Sequence, residues 1–224
     1  MTSASAAEGV GANLQWEITI AGQIGRAAQL MSYDKPTISD VTGPSVFVTA
    51  GGQEVILVVR SASCVRSSLS CTLSDQGLNF GPTGTTVSAV YANRAVNLVW
   101  TAVCALKTPH REIRCTTVAG SGASLKFEAT VAGQTSAASA KSFSYTAPTI
   151  SSVTSAFSTF NTQGGQLFTV IGSDFGPNSP ANPLAVSYAY LSTNYVALDC
   201  GFIAQPPPQK QGVACKTAPG VGTP

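Results

Sequence analysis

Residues 9–23, GVGANLQWEITIAGQ, return 111 positions later as residues 120–134, GSGASLKFEATVAGQ, with nine of fifteen letters identical. An echo at fixed distance constrains a fold more than composition does, because each copy must be one supersecondary unit in a series. The echo continues downstream. Ser32-Tyr33 is answered by Ser144-Tyr145, PTISDVT (36–42) by PTISSVT (148–154), and AGGQEVILV (50–58) by QGGQLFTVI (163–171). NFGP (79–82) then meets DFGP (174–177) at a shorter offset, so the first copy carries an insertion at about 61–78 that contains Cys64 and Cys71. Farther on, CTTVAGSG (115–122) is matched by CKTAPGVG (215–222). The 224 residues therefore read as three pieces: 1–33 as the C-terminal strands of a preceding unit, 34–146 as a complete unit, and 147–224 as a unit lacking its last strands.

Each unit reads as β. In Leu14-Gln15-Trp16-Glu17-Ile18-Thr19-Ile20 apolar and polar residues alternate, and Leu125-Lys126-Phe127-Glu128-Ala129-Thr130-Val131 repeats the alternation. Period two sends one set to a core and the other to water. Trp16 and Phe127 are therefore expected to point inward, and Glu17 and Glu128 outward. Residues 55–59 and 167–171 are apolar runs rich in β-branched residues, as in more deeply buried strands. Gly51-Gly52, Gly164-Gly165, Gly81-Pro82 and Gly176-Pro177 stand at turn positions. No stretch carries the pattern of a long capped helix. Short strands punctuated by turns, in units of about 100 residues, are what an immunoglobulin-like sandwich requires.

The order of these motifs resembles one family. A Tyr-x-x-Pro-x-Ile-x-x-Val start, a Gly-Gly strand pair ending in Phe-Gly, and then Cys-x-Thr-x-x-Gly-x-Gly with an alternating strand is similar to the IPT/TIG domains. YTAPTISSVT (145–154) and GGQLFTVIGSDFG (164–176) carry the resemblance most closely. It implies an all-β chain of tandem immunoglobulin-like β-sandwiches of IPT/TIG type, of the kind found in receptors, some transcription factors and large surface proteins. The stretch RSASCVRSSLSCTLSDQG (60–77) departs from that pattern, which would run straight to Asn-Phe-Gly.

Composition narrows the function. Charged residues make up only 10% of the chain and the net charge is +2, too weak a field to favour nucleic acid or an anionic membrane. No apolar run is long enough to span a bilayer. Six cysteines fall in three local pairs, Cys64/Cys71, Cys104/Cys115 and Cys200/Cys215. With no CxxC and a single histidine, disulfides in an oxidising compartment are the expected reading, and free buried thiols the alternative.

Catalysis finds little to stand on. His110 is the only imidazole, the acidic residues are scattered singly, and no phosphate-binding glycine motif is present, so no enzyme and no cofactor are expected. Lys107, His110, Arg111 and Arg114 cluster between Cys104 and Cys115, and a disulfide there would tether a basic loop able to grip a sulfated or carboxylated glycan. The plainer reading of those four residues is a solvated loop. Asp174, Asn178 and Asp199 are a weak calcium set, better explained as turn residues. QPPPQK (205–210) reads as an exposed loop held at its base by Cys200 and Cys215, and no N-glycosylation sequon occurs.

The expected function is a non-enzymatic extracellular structural or adhesive repeat protein, part of a cell-surface or filament-forming array. Its partners would be neighbouring repeats of the same chain, or other copies in a fibre, with glycans or other surface proteins as further candidates. Two alternatives stand beside it: a receptor or glycan-binding ectodomain using sandwich loops, and a spacer attached to an enzyme outside this segment. The incomplete outer units read as a stretch of a longer array. The competing explanation is strand exchange, in which one copy's N-terminal strands complete another's last unit.

Overall fold

A computed structural model describes residues 7–59, 79–190, 192–203 and 211–221. Cys64, Cys71, the insertion at 61–78 and nearly all of QPPPQK lie outside the described residues. The chain is all-β. Its strands are β1 (Leu14–Ile20), β2 (Gln23–Met31), β3 (Asp40–Thr42), β4 (Val46–Phe47), β5 (Glu54–Val58), β6 (Val87–Asn93), β7 (Leu98–Thr108), β8 (Glu112–Thr116) and β9 (Lys126–Val131). They continue with β10 (Gln134–Thr135), β11 (Ser144–Tyr145), β12 (Thr149–Ser155), β13 (Leu167–Ser173), β14 (Ser187–Tyr190), β15 (Thr193–Val196), β16 (Leu198–Ile203) and β17 (Gln211–Lys216). Two compact units result, within Met1–Phe47, Gly51–Val118 and Ala123–Ser144 for the first, and within Val48–Ala50, Ala119–Gly122 and Tyr145–Pro224 for the second.

In the first unit one long strand belongs to two layers. Residues 98–102 of β7 pair antiparallel with β6, while residues 103–108 pair with β8. The order β10-β9-β6-β7-β8-β5-β3 is therefore a pair of sheets joined through β7, a strand that turns the corner of a sandwich. Alternation does the rest. Val55 and Leu57 of β5, Ile113 and Cys115 of β8, Tyr91 of β6 and Phe127 of β9 are all fully or almost fully buried. Phe47, Tyr91, Phe127 and Phe143 close the core as an aromatic cluster, with Tyr91 stacked on Phe127 at 5.1 Å and Phe47 on Phe143 at 5.4 Å. Offset and edge-on ring pairs at such distances add about 0.5–1.5 kcal/mol each beyond area burial. The outer edge of β9 is satisfied by buried hydroxyls, since the Phe127 and Ala129 amides donate to Ser139 Oγ and Ser136 Oγ.

In the second unit β12-β13-β17-β16 form one antiparallel sheet, and β14-β15 a separate hairpin. Phe168, Val170, Ala197, Val213 and Cys215 make its core, with Tyr188, Phe175 and Phe202 packed against them. The same hydrogen-bond frame holds both units. Gly52 N–H donates to the Thr117 carbonyl and Gln53 N–H to Thr117 Oγ1; Gly165 N–H donates to the Thr217 carbonyl and Gln166 N–H to Thr217 Oγ1. Thr117 and Thr217 are 3% and 1% exposed, so these bonds are shielded from water. Tyr91 Oη bonds both the N–H and the carbonyl of Val118, and Tyr188 Oη does the same at Ala218.

One expectation is corrected. Phe127 is fully buried, but Trp16 is 57% exposed and every residue of β1 lies at the surface. Trp16 points inward only if a second layer covers its sheet. Among the described residues β1 pairs with β2 alone, and the Trp16 indole N–H reaches only Met31 Sδ at 2.8 Å. Local geometry is otherwise kept: Ala21-Gly22 and Ala132-Gly133 both turn with positive φ, and Asn13 N–H to Ser32 Oγ is echoed by Ser124 N–H to Ser144 Oγ.

The paired glycines that precede β5 and β13 generate a test. Gly164 and Gly165 have φ of 72° and 80°, but a Cβ on Gly164 would lie 2.5 Å from the Ala218 backbone, whereas one on Gly165 meets nothing. Gly165→Ala should cost about 1–2 kcal/mol from the left-handed conformation alone. Gly164→Ala should cost clearly more, because the backbone it meets belongs to the segment clamped by Tyr188. Urea unfolding of the two variants checks the ranking.

Candidate functional site

The basic segment is not an open loop. Pairing of β7 with β8 runs to Thr108↔Glu112, leaving Pro109, His110 and Arg111 as the turn. His110 takes the left-handed position with φ 62°, its amide donates to the Gly81 carbonyl, and the Arg111 amide donates back to Thr108. Three-residue hairpin turns commonly hold one residue in that conformation. Cys104 and Cys115 face each other across the same pair of strands and are bonded, with Cα atoms 4.1 Å apart. The tether thus closes a hairpin whose strands carry Lys107 and Arg114 and whose turn carries His110 and Arg111.

Carboxylates already engage half of this set. His110 Nε2 lies 3.0 Å from Glu8 Oε2. Arg114 Nε donates to Glu112 Oε1 at 2.8 Å, and Glu54 stands 3.7 Å from its Nη1. The hydrogen bond and charge of Glu112, helped by Glu54, hold the Arg114 guanidinium above its ordinary pKa, so it stays a cation at any working pH. Lys107 and Arg111 make no ion pair among the described residues. What the hairpin can offer an anion is two exposed cations, since Arg114 is shared with two acids. Exposed charges of this kind attract weakly and lose that attraction with salt.

The other singled-out acids are also in local use. Asp199 pairs with Lys216 at 2.9 Å, and Asp174, at φ 61°, accepts from Thr49 Oγ1 at 3.0 Å. Glu128 pairs with Arg94, and Glu17 with Arg26 at 2.8 Å. Among the described residues no three His, Cys, Asp or Glu gather as a metal set.

Sequence reasoning missed an uncovered apolar surface on the β1–β2 hairpin. Leu14, Trp16, Ile18 and Ile20 share one face of β1, and Met31, opposite Leu14 in register, joins them from β2. These five side chains are between 40% and 65% exposed. Contiguous apolar patches on a soluble surface mark places where something else packs. The signal was present as alternation, but alternation alone does not say whether a second layer exists.

The second disulfide, Cys200–Cys215, ties β16 to β17 as Cys104–Cys115 ties β7 to β8, and β17 pairs with β13 as β8 pairs with β5. Cys215 sits in the smaller core of the second unit and is fully buried. Opening either loop should cost about 3 kcal/mol on a chain-entropy account. Replacing Cys200 and Cys215 by Ala should therefore unfold the second unit at lower denaturant than the same change at Cys104 and Cys115 unfolds the first. Fluorescence and circular dichroism during denaturation, with and without reductant, check this. Compared with models of known protein families and with curated proteins, the chain matches none.

Proposed function

We propose that this chain is a non-enzymatic structural or adhesive segment of an extracellular surface or filament array, built from immunoglobulin-like modules of IPT/TIG type. The observation that carries the reading is the buried frame that recurs from module to module: the threonine clamp at Thr117 and Thr217, and the tyrosine clamp at Tyr91 and Tyr188. A site with a unique chemistry needs residues that occur once. Here the conspicuous residues occur in series, and the acids among them serve ion pairs on strand faces. Repetition of that kind builds length and surface. The two cross-strand disulfides support an oxidising setting, because such bonds persist where thiols are not kept reduced.

The glycan-binding reading keeps one observation in its favour, Lys107 and Arg111 exposed on a disulfide-tethered hairpin with no ion pair among the described residues. It predicts retention on a sulfated polysaccharide resin that Lys107→Ala with Arg111→Ala abolishes while the fold is unchanged. The structural reading predicts that an antibody raised against the chain labels intact, unpermeabilised source cells or their shed filaments. Labelling only after permeabilisation would overturn it.

A further inference from the structure

We propose that the outer edge of β7 is a docking site for an extended, acidic segment of another protein, which adds to the first unit as one more antiparallel strand. The proposal goes beyond the array reading and needs only the first unit. It begins with what each residue of β7 pairs with. Residues 98–102 meet β6, and residues 103–106 and 108 meet β8, so none of them has a strand on both sides among the described residues. A strand edge left in this way presents N–H and C=O groups as a template for another strand.

Folds usually blunt such edges, and the rest of this molecule does so. The other outer strands of the same unit, β3 and β10, are three and two residues long. In the second unit β16 takes the place of the second half of β7, tied to β17 by Cys200–Cys215 as β7 is tied to β8 by Cys104–Cys115. Its pairing is interrupted between Leu198 and Gly201, where Asp199 takes φ 51° and pairs with Lys216. A bulge and a charge both guard against strand addition. Most of the 11-residue β7 has neither. From Leu98 to Leu106 it holds no charge, no proline and no register shift. Thr101, Val103 and Ala105 face solvent, Val103 at 71% exposure. The Cys104–Cys115 bond keeps this stretch in strand geometry before a partner arrives, which spares part of the ordering cost of binding.

Charge says what kind of strand fits. Lys107 stands at the register shift between Leu106 and Thr108, where the open stretch ends, and Arg111 follows in the turn. Both are exposed and make no ion pair among the described residues. Their neighbours are already engaged, Arg114 by Glu112 and Glu54, and His110 by Glu8. A basic strand would meet two cations at this end of β7, whereas an acidic one is steered to it. Antiparallel pairing, the direction β7 keeps with both β6 and β8, sets the acids at the N-terminal end of the partner, beside Lys107. The uncharged residues of the partner then lie along Val103 and Ala105.

The probe is the peptide acetyl-Glu-Asp-Thr-Val-Thr-Val-Thr-amide, added to the 224-residue chain while hydrogen exchange is followed residue by residue. It should slow exchange at every second amide between Val103 and Lys107 and leave β16 unchanged. The double variant Lys107→Glu with Arg111→Glu should bind it at least about tenfold more weakly. That variant should keep its circular dichroism, since both side chains are exposed, and should bind acetyl-Lys-Lys-Thr-Val-Thr-Val-Thr-amide instead. Edge amides already slow to exchange in the free chain would overturn the proposal. So would binding that depends on the two cations but leaves those amides unprotected, which would make the hairpin a site for a polyanion. Protection that grows with protein concentration in the absence of peptide would also overturn it, by making the partner a second copy. None of these results bears on surface labelling of source cells, so the array reading is decided separately.

Discussion

A β-sheet with one apolar face is stable in water only when a second layer covers that face, and this requirement organises the whole molecule. In the first unit it is met by β7, which carries the chain from one layer to the other and lets Tyr91 and Phe127 close over Phe47 and Phe143. Once those rings are in place, the backbone between β8 and β9 is held from inside, because the Tyr91 hydroxyl occupies both polar groups of Val118. A buried hydroxyl that both donates and accepts leaves no backbone group there unsatisfied. The second unit uses the same clamp with fewer layers above it.

That difference explains why the two halves of the chain expose different surfaces. Where β9 and β10 are present the aromatic rings are covered, and where only a β14–β15 hairpin stands the rings remain partly open. The β1–β2 hairpin carries an apolar stripe that no second layer covers among the described residues. Its Arg26–Glu17 pair lies on the opposite, solvated face and contributes little to holding it.

Strand positions and turns were legible because they depend on neighbours in sequence. Alternation placed β1 and β9, apolar β-branched runs placed β5 and β13, and the paired glycines at 51–52 and 164–165 do adopt the positive φ that their turns require. Cysteine spacing anticipated two cross-strand bridges. Trp16 was misread because its burial depends on a layer that alternation cannot report. The segment around His110 looked like a polar loop, yet Ala105-Leu106-Lys107 and Glu112-Ile113-Arg114 continue the strands, with Leu106 and Ile113 on the inner side. The acids that engage Arg114 and His110 come from β5, β8 and the N-terminal segment, and no local pattern brings Glu8 to His110. The threonine clamp was visible in hindsight as CTT against CKT, but a lone Thr carries no folding signal without its partner strand.

The central claim is that one sandwich plan underlies both units, with Phe127 buried where a second layer covers its sheet and its counterpart Trp16 exposed where none does among the described residues. The chain has two tryptophans, Trp16 in the hairpin and Trp100 in the core of the first unit, at 57% and 6% exposure. Acrylamide quenching of their fluorescence tests the claim most directly. The account predicts one quenchable and one protected tryptophan, with Trp16→Phe removing the quenchable one. Two protected tryptophans, or two equally quenchable ones, would contradict it.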